Sequence, residues 1–272
     1  MPATYAVIGN PIAHSRSPQI HAAFAKQTGQ DIVYDRLLAA VDGFAAAVDA
    51  FRATGGAGAN VTLPFKLDAF DYVDRRSGRA EAAGAVNTMV FDGRDALGDN
   101  TDGAGLVTDL ERNQGLAIAG ARVLLLGAGG AVRGVILPLL GRGPARLVVA
   151  NRTADKARDL AQHFARWGEV IGCGFADLAG GKFDLVVDGT SAAVGGAAPE
   201  LPRGVFASGA LAYEMMYGKG ETTFARFALA DGAGRVADGL GMLVEQAAEA
   251  FQVWRGVRPD TAPVLTMLRA AT

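Results

Sequence analysis

The chain has 272 residues, half of them hydrophobic, with a formal net charge of −2 and a single cysteine. That balance argues against nucleic acid or an anionic membrane surface as the main partner, and a lone Cys173 rules out a disulfide framework. No apolar stretch approaches the ~20 residues of a membrane span, and M-P-A-T-Y-A-V-I-G has neither the basic start nor the apolar run of a signal peptide, so a cytoplasmic protein is expected.

At roughly 150 residues per domain, the length fits two domains. T-Y-A-V-I-G (4–9) reads as a strand, S-P-Q-I-H-A-A-F-A-K (17–26) as a helix and D-I-V-Y-D-R-L-L (31–38) as a second strand. V-D-G-F-A-A-A-V-D-A-F (41–51) follows as a helix and A-G-A-N-V-T (57–62) as a third strand. P-F-K-L-D-A-F-D-Y-V (64–73) then opens a helix with Pro64 at its first position, where the missing N–H does no harm, and A-V-N-T-M-V-F (85–91) returns to strand. This β-α-β-α order predicts a mostly parallel sheet with helices on both faces.

The alternation restarts at R-V-L-L-L (122–126), an uninterrupted apolar strand of the kind buried on both faces. G-A-G-G-A-V-R (127–133) and a helix follow, with Pro138 inside it to bend it. R-L-V-V-A (146–150), a helix from Ala154 to about Arg166, V-I-G-C-G-F (170–175) and F-D-L-V-V-D (183–188) continue a doubly wound series, in which Cys173 reads as a buried small hydrophobe. In L-G-M-L-V-E-Q-A-A-E-A-F-Q-V-W (240–254), Leu240, Leu243, Val244, Ala247, Phe251 and Trp254 share one helical face. Glycines after Asp102 and Asp238 mark the boundaries. The expectation is an α/β fold of two domains: a substrate domain (1–102 plus 238–272) with a mostly parallel sheet, and a Rossmann-type nucleotide domain (103–237) inserted into it.

The glycine loop lies where a pyrophosphate binds, after a buried strand and at the positive end of a helix. The third glycine of G-x-G-x-x-G is Val132 here, so the placement carries the reading more than the letters do. At the next strand end an NAD site wants an acid and an NADP site wants cations. This chain has Asn151-Arg152-Thr153 with Lys156 one turn on, which selects NADP; the plainer reading is a helix capped by Thr153 beside a solvated arginine.

H-S-R-S-P (14–18) reads first as a helix start, with Ser17 as cap and Pro18 at its first position. Paired hydroxyls at such a terminus also suit a carboxylate, and Arg16 either adds charge or is simply solvated. N-V-T-L-P-F-K (60–66), A-V-N-T (85–88) and D-N-T-D-G (99–103) put three Asn/Thr elements at the borders of one predicted sheet. Each alone is an ordinary turn, but together they fit a polyhydroxylated ligand. A cation just past a strand end, Lys66, is then a candidate to move a proton.

At these residues the chain resembles the shikimate dehydrogenases over nearly its full length: G-N-P-I-A-H-S-R-S-P, N-V-T-L-P-F-K, G-A-V-N-T, D-N-T-D-G, G-A-G-G-A-V-R, N-R-T and A-D-G-L-G-M-L-V-E-Q-A-A occur in the family's order. The resemblance implies NADP-linked, reversible reduction of 3-dehydroshikimate to shikimate in aromatic amino-acid biosynthesis. It implies Lys66 as the catalytic lysine with Asp102 beside it, and Ser15, Ser17, Thr62, Asn87, Tyr217 and Gln246 as substrate contacts. For the cofactor it implies Gly127, Ala128, Gly129, Gly130 and Ala131 at the phosphates, Asn151, Arg152, Thr153 and Lys156 at the 2′-phosphate end, and Met215 and Gly239 beside the nicotinamide. A small-molecule substrate, no metal, and a monomer or homodimer belong to the same expectation.

The chain departs from the family's pattern at D-G-T-S-A-A (188–193), where Asp188 and Ala193 replace the frequent Asn and Gly although Thr190 and Ser191 remain, and at Ala22 after His21, which is read as a buried, satisfied histidine. The rival readings are a dual quinate/shikimate dehydrogenase, another two-domain NADP enzyme such as a methylenetetrahydrofolate dehydrogenase, and a non-catalytic NADP-binding regulator on the same scaffold.

Overall fold

The computed structural model describes residues 2–190, 199–218 and 220–271. Ser191 and Ala193 of the departing segment lie outside the described residues. The chain divides into two compact units, Met1–Gly105 with Leu243–Ala271, and Leu106–Met242.

The first unit carries β1 (Ala3–Gly9), α1 (Ser17–Thr28), β2 (Ile32–Leu38), α2 (Phe44–Ala53), β3 (Gly56–Val61), α3 (Lys66–Tyr72), β4 (Arg75–Arg76), α4 (Gly78–Ala83), β5 (Thr88–Asp92), β6 (Asp95–Asp99) and the start of α5 (Asp102–Thr108). Its sheet runs β2-β1-β3-β5-β6-β4. β1 pairs in parallel with β2 and β3, whereas β5 is antiparallel to both β3 and β6. The antiparallel hairpin was not read from sequence; its turn is Asp92-Gly93-Arg94, with Gly93 at φ 59°, a left-handed conformation that favours glycine. Ile8, Val61, Phe65, Val86 and Met89 pack in one core under this sheet.

Two details differ from the sequence expectation. The Phe65 N–H bonds to Thr62 O, so Leu63 and Pro64 occupy a turn and α3 starts only at Lys66. Ser17 is itself the first residue of α1, behind Arg16, and no side chain caps that helix.

The second unit holds the end of α5, a π-helical turn over Asp109–Asn113, β7 (Arg122–Leu126), α6 (Gly130–Leu140), β8 (Arg146–Asn151), α7 (Ala154–Phe164), β9 (Ile171–Gly174), β10 (Phe183–Asp188), β11 (Phe206–Glu214), α8 (Thr223–Ala230), β12 (Arg235–Ala237) and the start of α9 (Leu240–Arg255). All pairs of the sheet β12-β11-β10-β7-β8-β9 are parallel. The centre strand β7 is apolar without alternation because helices cover both faces of such a sheet. β11, α8 and β12 were not read from sequence. α6 stops at Leu140, two residues after Pro138, whose ring cannot sit comfortably against the preceding turn. Cys173 is half-buried on the edge strand β9, not fully buried as expected. The last helix, α10 (Ala262–Ala270), returns to the first unit.

Candidate active site

Lys66 opens α3, and its Nζ lies 2.5 Å from Asp102 Oδ2. The other carboxylate oxygen, Oδ1, accepts the Asn87 Nδ2–H at 2.7 Å. The orientation of the Asn87 amide is fixed by a backbone donor: its Oδ1 accepts the Thr101 N–H at 2.8 Å, and the Thr88 hydroxyl donates to the same oxygen at 2.9 Å. The Nδ2–H therefore faces Asp102, and the aspartate is held as an acceptor on both oxygens.

Behind this group the bonds continue inward. Asn60 Nδ2 donates to Thr88 Oγ1 at 3.1 Å, and the Tyr34 phenol donates to Asn60 Oδ1 at 2.8 Å. On the other side Thr101 Oγ1 donates to Gln246 Oε1 at 3.3 Å, while Gln246 Nε2 donates to the Leu243 carbonyl at 2.9 Å. Tyr34, Asn60, Thr88 and Thr101 are buried, and none was assigned a role from sequence, although three of them stand inside the quoted Asn/Thr motifs. Motif membership alone does not separate a ligand contact from the hydrogen-bond scaffold that holds it.

The D-N-T-D loop is anchored by Asp99. It takes a two-pronged contact from Arg79, a hydrogen bond from Ser77 and the Asn100 N–H. Burial works to raise the Asp99 carboxyl, yet the Arg79 guanidinium with Ser77 and the Asn100 N–H holds it below the usual carboxylate range.

Ser15 and Ser17 are both buried, and their hydroxyls lie 3.2 Å apart. Ser15 Oγ accepts the Ser17 N–H at 3.3 Å, whereas the Ser17 hydroxyl caps nothing, so the pair keeps hydrogen-bonding capacity for a ligand. Arg16 turns to the Leu268 carbonyl, at 3.4 Å, instead of standing as a loose charge. Arg36 of β2, unremarked in the sequence, donates to the Ser15 carbonyl from Nε at 3.0 Å and from Nη2 at 2.5 Å. Thr62 is half-buried beside Gly9, where an added Cβ would stand 2.5 Å from the Thr62 methyl, so only glycine leaves that side chain its place. Ser15, Ser17, Thr62, Lys66, Asn87, Asp102 and Gln246 all belong to the first unit, and Tyr217, half-buried after β11, to the second.

His21 is fully buried, stacked on Tyr34 with ring centroids 4.1 Å apart. Contrary to the expectation of a satisfied histidine, neither ring nitrogen has a well-formed hydrogen bond among the described residues. Burial pushes its pKa down to about 3, with the Asn60 amide pulling weakly the other way.

In the second unit Gly127 follows β7 at φ 104°, with its backbone so close to Gly189 that a Cβ would stand 3.1 Å from the Gly189 carbonyl. Gly129 and Gly130 have open space where a Cβ would project, the cradle that a pyrophosphate needs at the head of α6. Val132, at the site of the missing third glycine, packs over Gly189, so the close helix–strand approach is secured from the strand side. At the end of β8, Asn151 Nδ2 donates to the Thr153 carbonyl at 2.9 Å, and Thr153 stands at the cap position of α7 without bonding to it. Arg152 and Lys156 are exposed, with no ion-pair partner among the described residues. This donor set fits the 2′-phosphate of NADP: two free cations, a free hydroxyl and a helix N-terminus.

A Cβ on Gly239 would collide with the Met215 carbonyl, so these two residues are held together by close backbone contact. Asp188 is buried with Oδ1 on the Thr190 N–H at 2.9 Å, and burial raises its carboxyl above the ordinary range. Its Oδ2 and the Thr190 hydroxyl have no partner among the described residues.

Three family models match this chain: the shikimate dehydrogenase substrate binding domain over residues 7–89, shikimate / quinate 5-dehydrogenase over 109–193, and the shikimate 5′-dehydrogenase C-terminal domain over 239–269. The NADP(+) shikimate dehydrogenase of Dechloromonas aromatica is 62% identical over 266 residues, 98% of this chain and 97% of the relative. The chain belongs to the shikimate dehydrogenase family. It is thus an oxidoreductase-family protein, and solved structures agree. The shikimate 5-dehydrogenase of Thermus thermophilus, in complex with NADP(H) and shikimate, superposes with a TM-score of 0.87 at 31% identity, covering 99% of this chain and 100% of that one. An Ael1 enzyme from Pseudomonas putida does so with a TM-score of 0.92 at 49% identity, 98% of each chain being covered. Among the described residues, no helix is long and apolar enough to cross a membrane.

Proposed function

We propose that this protein catalyses the NADPH-dependent, reversible reduction of 3-dehydroshikimate to shikimate, the activity for which its relatives are named. The observation that carries the reading is the Lys66–Asp102–Asn87 group, an ammonium and a carboxylate in direct contact at the edge of a hydroxyl- and amide-rich sheet end. Ser15 and Ser17 bind the substrate carboxylate, and Thr62, Asn87, Asp102, Tyr217 and Gln246 meet its oxygens. Gly127 through Ala131, Asn151, Arg152, Thr153 and Lys156, with Met215 and Gly239, hold the coenzyme, whose reduced form, NADPH, would supply the hydride and whose oxidised form would take it back.

Reduction of a ketone leaves negative charge on its oxygen, so a proton donor must stand there. Lys66 Nζ donates that proton. Asp102 accepts hydrogen bonds on both oxygens, from Lys66 and from Asn87, and so orients Lys66. In the oxidation direction Lys66, as a free amine, takes the proton from the shikimate hydroxyl. The same reading takes the protein to act in the cytoplasm, as a monomer or homodimer.

The test is spectrophotometric: NADP⁺ reduction with shikimate, run beside quinate and NAD⁺, on wild type and Lys66→Ala. Shikimate and NADP⁺ are the preferred pair, and the variant loses turnover while still binding shikimate. Preference for quinate or NAD⁺ would move the assignment to the dual-specificity reading, and no oxidation by the wild type would leave only a cofactor-binding module.

A further inference from the structure

A carboxylate held by two serine hydroxyls alone is held by neutral dipoles. β2 supplies the missing charge. Side chains alternate along a strand, so Arg36 shares a face with Tyr34 and turns away from Asp35. That face is the one covered by α1, since Tyr34 stacks on His21 of that helix. Arg36 reaches over the first turn of α1 and grips the Ser15 carbonyl with two N–H groups, at 3.0 and 2.5 Å. Two donors on one neutral oxygen leave the guanidinium charge uncompensated, and its other N–H groups remain available. Among the described residues, no carboxylate makes an ion pair with Arg36.

Among the described residues, the Ser15 backbone is otherwise tied only by its N–H to the Ile12 carbonyl, at 3.0 Å. Ser15 Oγ in turn accepts the Ser17 N–H at 3.3 Å and donates to Ser17 Oγ at 3.2 Å. Whatever holds the Ser15 peptide therefore sets both hydroxyls. The chain's net charge of −2 offers no general attraction to an anion, so a local cation matters.

We infer that Arg36 is a positioning and specificity-determining residue for the substrate carboxylate: it clamps the Ser15 peptide so that the Ser15 and Ser17 hydroxyls face the anion, and it supplies the positive field that selects a charged acid over its neutral ester. This rests on the serine pair being the carboxylate site. Arg36 lies at the exposed edge of its strand, so its field is partly screened and its effect on binding is moderate.

Calorimetric binding of shikimate and of shikimate methyl ester to wild type, Arg36→Met and Arg36→Lys tests this without requiring turnover; steady-state kinetics run alongside. Arg36→Met is expected to weaken shikimate binding about 5- to 10-fold, the effect of losing one charge-assisted contact near the surface, with a smaller loss for the ester, which loses only the clamp, and affinity for NADP⁺ unchanged. Arg36→Lys keeps the charge but loses the fork, so its affinity falls between the two. The difference between wild type and Arg36→Met shrinks as salt is raised. Equal weakening of acid and ester would make Arg36 a scaffold residue only, and unchanged shikimate affinity in Arg36→Met would overturn the inference. If wild type binds shikimate without oxidising it, the catalytic reading fails while these comparisons still decide the role of Arg36. If wild type binds neither ligand, the carboxylate site itself is wrong.

Discussion

Gly105 lies so close to Gln246 that a methyl group on it would stand 2.6 Å from the Gln246 Cβ and 2.7 Å from the Gln246 backbone nitrogen. The glycine is in α5, at an ordinary helical conformation, so its requirement is for space. Gln246 takes its hydrogen bond from Thr101, on the loop that also presents Asp102. Gly105→Ala must therefore push α9 away from the D-N-T-D loop, because backbone atoms cannot swing aside as a side-chain tip can. Overpacking of this kind costs about 1–3 kcal/mol. The variant is expected to melt several degrees lower and to show a raised KM for shikimate with a nearly unchanged KM for NADP⁺. Melting and kinetics like wild type would show that α5 and α9 separate at no cost.

Lys66 and Asp102 are separable by substitution. Lys66→Ala removes the proposed proton donor and is expected to lower kcat about 10²- to 10⁴-fold, the usual worth of a positioned acid or base, with shikimate binding retained. Asp102→Asn keeps the size of the side chain but loses the charge that balances Lys66 and one acceptor, so kcat falls there as well. Oxidation turnover kept by Lys66→Ala, by the absorbance of NADPH formed, would count against Lys66 as the group that moves the proton.

Much of this site could be read before any coordinates, for a physical reason. Lys66, Asn87 and Asp102, singled out from three separate motifs, meet through direct hydrogen bonds, and the glycine loop and N-R-T stand at the strand-to-helix turns where the βα alternation puts them. The β7 run could be read because a strand buried on both faces needs no alternation. What escaped was of two kinds. The hairpin of β5 and β6 hides its signal in Asp92-Gly93, a turn dipeptide that is informative only once both flanking runs are seen as strands. Arg36, Tyr34 and Asn60 escaped because their partners lie 21, 26 and 27 residues away in sequence, a separation that no local pattern reports. The capping roles given to Ser17 and Thr153 failed alike: both hydroxyls stand at helix starts and leave the helix uncapped.

Coenzyme choice should respond at Arg152. The side chain is exposed and without an ion pair among the described residues, as is Lys156 one turn on. A charge-assisted contact to phosphate contributes about 1.5–3 kcal/mol, so Arg152→Ala is expected to raise the KM for NADP⁺ roughly 10- to 100-fold. The KM for NAD⁺, which has no 2′-phosphate, should hardly change, and Lys156→Ala should show the same selectivity more weakly. A parallel loss with both coenzymes would place Arg152 at the adenine or in the fold instead of at the phosphate.

His21 makes acid stability a readout of the first unit's core. Its pKa is about 3 in the folded protein against an ordinary 6.5, because burial among Tyr34, Phe251 and Trp254 excludes the charged ring. Above about pH 6.5 both folded and unfolded chains carry the neutral ring, and the histidine contributes its full packing. As the pH falls, the unfolded chain takes up a proton that the folded one refuses, so stability drains through the window from 6.5 down to about 3. Over the whole window the loss is on the order of 5 kcal/mol, at about 1.4 kcal/mol per pH unit, comparable to the net stability of many domains. His21→Phe removes the titrating ring while keeping an aromatic stack. Its melting temperature relative to wild type should therefore rise steadily between about pH 6.5 and pH 4, whatever its offset at neutrality. A constant offset across that range would mean that His21 is protonated in the fold or reached by water, and that its buried nitrogens find partners when charged.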